Sequence, residues 1–262
     1  KAFYKSINIL DITGGSNLKW VDLDAFVETK LFANNDNIVR GDMLIKYSAG
    51  EFPENIKYIA SNAVEDNRFS ILYLSNILSI GNSAFNECTF DKIVLGATLE
   101  RLGDLSFNNC QMNYTLDFVG IQPPFMDPII SLYFNDNIEI RVPIAFMDEY
   151  ISLGLNEEDY NIKPITVEIS LNYESGDIVN KTVMYLGEIN CLISEDTKSG
   201  YNFIGWYDKN DIKYENGMLC DFYDTKELFA KWEAKDFKII YDLNGGSWIS
   251  GQEIPSIFNI ES

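Results

Sequence analysis

Histidine is absent from all 262 residues. That removes the commonest general base and every Ser-His or Cys-His nucleophile pair. The four cysteines, Cys88, Cys110, Cys191 and Cys220, form no CxxC, and no histidine can complete a zinc site. Basic residues are scarce: 20 Lys and Arg stand against 40 Asp and Glu, a net charge of −20. Such a field repels phosphate backbones and anionic membranes, so nucleic acid is not an expected partner. The acid excess serves solubility or offers a surface for cations. No apolar run approaches the ~18 residues of a membrane span, so direct membrane insertion is not expected. Nor does a leader precede Lys1-Ala2-Phe3-Tyr4. It is expected to have been trimmed, which leaves location open.

What the chain has is apolar and aromatic material, 46% and 14% of its residues, enough to bury a core. It also has a repeat. Asn76 to Cys88 reads Asn-Ile-Leu-Ser-Ile-Gly-Asn-Ser-Ala-Phe-Asn-Glu-Cys, and Thr98 to Cys110 reads Thr-Leu-Glu-Arg-Leu-Gly-Asp-Leu-Ser-Phe-Asn-Asn-Cys. Ile77 aligns with Leu99, Ile80 with Leu102, Gly81 with Gly103, Phe85 with Phe107 and Cys88 with Cys110, at 22 residues each. Ile56, Ile59 and Val64 sit 21 residues before Ile77, Ile80 and Phe85. A fixed period of this size marks a solenoid whose rungs bury apolar residues only against their neighbours. Strands at Ile71–Leu74, Lys92–Leu95 and Thr115–Phe118 close the rungs. Cys88 and Cys110 should stack roughly 5 Å apart on adjacent rungs. That spacing permits a disulfide, although a reduced ladder of small apolar side chains is the commoner arrangement.

Residues 7–12 alternate as a strand, and Asn17 to Phe26 matches Asn76 to Phe85. From Phe26 to Val64 the step lengthens by roughly 17 residues, an insertion rich in turn chemistry near 30–50. It reads as a β-hairpin that protrudes from the solenoid or stacks within it. Gln122-Pro123-Pro124 breaks the pattern, Ile138 to Pro143 is a further strand, and Ala145 to Leu155 reads as an amphipathic capping helix before an exit at Asn161–Ile165.

The Ile-x-x-Ile-Gly-x-x-Ala-Phe-x-x-Cys pattern resembles the BspA-like leucine-rich repeats over about residues 7–165. Leu44-Ile45-Lys46-Tyr47, Phe52 to Ile59, Pro123-Pro124, Ile140 to Pro143 and Tyr150 share the likeness. Val64 in place of Phe and Ala60 in place of Gly mark a degenerate rung. The resemblance implies a bacterial protein that is secreted or held at the cell surface, of a kind in which several members adhere to host or matrix proteins.

From Thr166 the pattern changes. Strands are expected at 166–173, 182–185, 200–207 and 226–232, with Tyr201, Phe203 and Tyr207 on one parity of the third. Gly200-Tyr-x-Phe-x-Gly205-Trp206-Tyr207 and the closing Leu228-Phe229-Ala230-Lys231-Trp232 resemble the Listeria–Bacteroides repeat, also called the internalin B-repeat. The resemblance implies a small β-grasp-like module over 166–234. Phe237 to Gly246 parallels Val167 to Gly176, so 235–262 begins a second module that stops short, by truncation or degeneration. That segment is expected to pack on the first module, pair with another chain or stay partly mobile.

The expected fold is therefore mainly β: a short leucine-rich-repeat solenoid over 1–165, then the β-grasp-like module. No catalytic residue, cofactor or metal site is assigned. Gly14-Gly15-Ser16 and Gly245-Gly246-Ser247 lack the spacing and lysine of a phosphate loop. Asp208-Lys209-Asn210-Asp211 lacks the glycine and glutamate of a calcium loop and reads as a hairpin turn. Trp206 and Trp232 occupy motif positions that argue for core rather than a sugar platform. The candidate partner surface is the strand face at Ser70, Tyr73, Lys92, Val94, Thr115 and Asp117, facing a host or matrix protein or a glycan. A purely structural spacer is the first alternative. A glycan-directed enzyme or lectin is the second, and as an enzyme it would need paired carboxylates across a cleft.

Overall fold

A computed structural model describes residues 37–110, 115–126, 138–153, 155, 161–173, 175–193 and 198–261. The expected strand at 7–12 and the first rung at 17–26 lie outside the described residues. The chain divides into two compact units, Lys1–Ile165 and Thr166–Ser262.

In the first unit the strands are β1 (Ile38–Arg40), β2 (Met43–Lys46), β3 (Tyr58–Ile59), β4 (Arg68–Leu74), β5 (Ser79–Ile80), β6 (Thr89–Leu95), β7 (Arg101–Leu102), β8 (Thr115–Phe118), β9 (Phe125–Met126), β10 (Glu139–Val142) and β11 (Asn161–Pro164). They form two sheets. The short strands stack in the order β1-β2-β3-β5-β7-β9, and the longer ones in the order β11-β10-β8-β6-β4. All pairings are parallel except β1 with β2. This is the solenoid read from the repeat. Each rung contributes a short strand, a turn and a longer strand, and the aligned apolar residues stack inward.

The ladders show why the motif has its composition. Ile59, Ile80 and Leu102 are register partners and all are buried. Phe85 stacks on Phe107 with ring centroids 5.3 Å apart, and Phe69 stacks on Phe90 at 5.6 Å. The motif glycines serve close approach: a Cβ on Gly81 would lie 2.7 Å from the Ala60 carbonyl carbon, and one on Gly103 would lie 2.6 Å from that of Gly81. Two residues per turn take positive φ at the same repeat positions, Asn62, Ser83 and Leu105 at one, Asp66, Glu87 and Asn109 at the other. The left-handed region is sparsely used by side chains other than glycine, and these residues let the chain corner twice between its two strands.

The insertion forms a hairpin stacked within the solenoid. Gly41, at φ 61°, and Asp42 make the two-residue loop between β1 and β2, and β2 pairs with β3 as one more rung of the short-strand sheet. The break at Pro123-Pro124 is local, because β9 rejoins that sheet directly after it. The expected helix is a 3-10 turn at Ile144–Phe146 followed by α1 (Met147–Ser152). Its Tyr150 is fully buried against Phe118, and the phenol donates to the Gly120 and Gln122 carbonyls.

The second unit is one mixed sheet built from β12 (Thr166–Asn172), β13 (Ile178–Met184), β14 (Tyr201–Tyr207), β15 (Lys213–Tyr214) and β16 (Lys226–Ala234), in the order β13-β12-β16-β14-β15. The first and last long strands, β12 and β16, pair in parallel at its centre. In β12, Val167, Ile169 and Leu171 are buried while Thr166 and Glu168 are exposed, the alternation of a sheet with one covered face. The single parity expected for β14 does not persist. Its register against β16 slips between Phe203 and Gly205, so Ile204 is the extra residue of a bulge. Beyond the bulge Trp206 turns inward, edge-on to Phe203 and Tyr173, and is fully buried. Beyond this sheet β17 (Phe237–Lys238) and β18 (Ile257–Phe258) form a two-stranded ribbon whose large apolar residues are exposed, with Ile260 against Gly200.

Candidate functional site

The long-strand sheet aligns its rungs in two outward rows. One runs Tyr73, Val94, Asp117, Arg141, Lys163, and the other Ile71, Lys92, Thr115, Glu139, Asn161. Five of the six residues expected at a partner surface therefore fall on adjacent strands of one face, and Ser70 precedes them on β4. Their accessibility differs. Ser70 is exposed and Tyr73 is 53% exposed, whereas Lys92 and Thr115 are half-buried. For Val94 and Asp117 the expected exposure is corrected: they stand on the outward face but are covered, at 3% and 0% exposed.

Asp117 is held as an ion cluster. Arg141 clamps it with Nε on Oδ1 and Nη2 on Oδ2, both at 2.6 Å, and the Lys92 Nζ approaches Oδ2 at 3.1 Å. The fork of a guanidinium fits a carboxylate in this two-point fashion. Beside it Lys163 pairs with Glu139 at 2.9 Å. The rungs from β8 to β11 thus close their part of the face by internal charge pairing. Arg141 was missed by reading the sequence. Continuing the rung alignment from Tyr73 through Val94 and Asp117 by one further step would have found it.

At the other end lies β4, whose Ile71 and Tyr73 are 51% and 53% exposed. Among the described residues no basic side chain lines the groove beside it, which measures about 410 Å³ and runs between Phe52, Pro53 and Glu54 on one side and Ile71 to Ile77 on the other. Glu54 and Ile71 were also missed by the sequence reading. In the sequence Ile71 reads only as part of a closing strand.

The buried acids among the described residues are Asp117 and Asp208. Asp208 sits in the hairpin turn between β14 and β15. Its Oδ1 accepts the Asn210 and Ile212 N–H groups, and its Oδ2 pairs with Lys226 at 3.1 Å. Burial alone would raise this carboxyl, but those hydrogen bonds outweigh it and hold the group below the ordinary carboxylate range. Both acids are neutralised where they stand. The cysteines are free thiols. Cys88 Sγ donates to the Val64 carbonyl at 3.2 Å and Cys110 Sγ to the Phe85 carbonyl at 3.1 Å, each one rung back. Burial pushes them up to about 11 and about 12, and Cys220 to about 11, far from the reactive thiolate range.

No helix among the described residues is long and apolar enough to cross a membrane. A protein of Evansella cellulosilytica, whose provisional name is membrane protein, is 26% identical over 117 residues, covering 36% of this chain and 16% of that relative. The chain therefore corresponds to a small part of the relative's length. Residues 44–118 match the BspA type leucine rich repeat region in six copies. The stacked parallel rungs fall in the same segment, so residues 44–118 are similar to BspA-type leucine-rich repeats in both sequence and solenoid form.

Proposed function

We propose that this chain belongs to a non-enzymatic, surface-attached or secreted bacterial protein whose solenoid binds a host or matrix protein, or a glycan, through the β4 end of its long-strand face. The observation that carries the reading is the exposure of Ile71 and Tyr73 side by side, while the charged residues from β6 to β11 on the same face, Lys92, Asp117, Glu139, Arg141 and Lys163, are engaged with one another. An exposed apolar and aromatic patch on a repeat face is a mark of an interaction site. The BspA-type repeats and the relative named as a membrane protein support a surface location. Residues 166–234 then serve as a spacer of the internalin B-repeat kind. Their sheet order, with a central parallel pair flanked by antiparallel strands, supports a β-grasp-like module.

Binding of the purified chain to a panel of matrix proteins and glycans tests the reading, with an Ile71→Ala/Tyr73→Ala double variant alongside. Loss of about tenfold or more in affinity is expected for whichever ligand binds. Undiminished binding by the double variant would place the site elsewhere. The second reading, a purely structural spacer, is favoured by the charge-paired rungs from β8 to β11, and absence of binding across the whole panel would select it.

A further inference from the structure

The rung that precedes β4 is short. Leu44 and Ile59 are register partners fifteen residues apart, whereas Ile59 and Ile80 are twenty-one apart and Ile80 and Leu102 twenty-two. The residues missing from that rung are those that would make a longer strand. In their place the chain passes through Phe52-Pro53-Glu54 without strand structure. The sheet of long strands therefore ends at β4, while the sheet of short strands continues through β2 and β1.

Among the described residues this leaves the outer edge of β4 without a pairing strand. The Leu74 carbonyl accepts from the Gly96 N–H of the next rung. Main-chain groups alternate sides along a strand, so those of Leu72 and Leu74 point to β6 and those of Ile71 and Tyr73 point into the groove. Nothing in the described residues bonds the Ile71 or Tyr73 main chain. Edge strands of this kind are templates for pairing, and proteins ordinarily protect them with charge, proline or a covering segment. Here the edge carries Ile71 and Tyr73 and lies beside the apolar wall of Phe52, Pro53 and Ile56.

We propose that the β4 edge binds an extended peptide segment by strand addition, with main-chain hydrogen bonds to Ile71 and Tyr73. Alternate apolar side chains of the peptide fill the groove, and a basic side chain meets Glu54. The occupant follows from charge. Glu54 is the one acidic or basic residue lining the groove among the described residues, Glu51 is exposed close by in sequence, and the whole chain carries −20. Strand addition takes affinity from the main chain and selectivity from alternate side-chain pockets. The inference rests on the reading that ligands bind at the β4 end, and it narrows the ligand to a strand-forming, basic-apolar segment.

The test uses the whole chain and a synthetic peptide about as long as β4, alternating lysine and valine. Three controls accompany it: the same peptide with alternate amides methylated, a peptide alternating glutamate and valine, and a Glu54→Lys variant of the protein. The lysine peptide is expected to bind and to slow hydrogen exchange at the Ile71 and Tyr73 amides. The methylated peptide should bind at least about tenfold more weakly, since it cannot form the ladder. The acidic peptide with the wild-type chain, and the lysine peptide with Glu54→Lys, should each lose roughly the same factor. Equal binding of the methylated peptide, or binding without protection of those two amides, would overturn strand addition. Failure of the lysine peptide to bind would do so as well. If a matrix protein or glycan binds, loses affinity in the Ile71→Ala/Tyr73→Ala variant and leaves those amides unprotected, strand addition fails while the broader site survives.

Discussion

Asp117 shows how a residue placed for exposure becomes structural. Its outward parity on β8 is set by the repeat, but Arg141 and Lys92 stand one strand to either side and draw it into a closed cluster. Removing one member of a buried ionic group is far more damaging than the net worth of the pairing, because the remaining charges keep their desolvation without compensation. Asp117→Ala is therefore expected to destabilise the chain by about 3 kcal/mol, the low end for a buried pair, since Lys92 and Arg141 keep partial access to water. Urea denaturation followed by far-ultraviolet circular dichroism measures this, and a loss below about 1 kcal/mol, the scale of an exposed pair, would show the cluster to be a surface ornament.

Strand β14 carries its information in an irregularity. The extra residue Ile204 switches the inward parity from Tyr201 and Phe203 to Trp206, and Gly205 follows it at φ 144°. In a sheet, one residue of register separates the core face from the solvent face. Inserting an alanine between Gly205 and Trp206 should thus direct Trp206 outward and break the cluster it forms with Tyr173 and Phe203. The expected outcome is loss of most near-ultraviolet aromatic dichroism from the second unit, with its far-ultraviolet strand signal retained. An unchanged near-ultraviolet spectrum would mean that the bulge relocates without consequence. On β4 the informative irregularity is the shortened rung beside it, which exposes a strand edge that a full-length rung would have covered.

Across the whole chain, buried thiols link stability to pH. Cys88, Cys110 and Cys220 hold their protons to about 11, about 12 and about 11 when folded, chiefly because burial disfavours the thiolate, against 9.0 when unperturbed. Above about pH 9 the unfolded chain sheds protons that the folded chain keeps. Stability present below that pH is therefore lost progressively as pH rises from about 9 to 12, by on the order of a few kcal/mol. Thermal midpoints measured across this range should fall, and the decline should be shallower in a Cys88→Ala/Cys110→Ala variant. An identical decline in both proteins would assign the alkaline limb to other groups.

The sequence alone determined the solenoid, because a stacked rung cannot bury its face without presenting the same apolar residue at the same place to its neighbour. Ile59, Ile80 and Leu102, or Phe85 and Phe107, are thus visible as a period before any coordinate is known. The mainly β character of the second unit was legible for a similar reason, in the alternation of Val167, Ile169 and Leu171. Tertiary structure decided what periodicity cannot encode. Whether an outward residue stays outward depends on partners a full rung away, as Arg141 is from Asp117. Which residue of β14 turns inward depends on a bulge. Whether a strand has an open edge depends on the length of the rung before it, and that is why Ile71 and Glu54 stand out only once β4 is seen to pair with β6 on one side and with no described strand on the other.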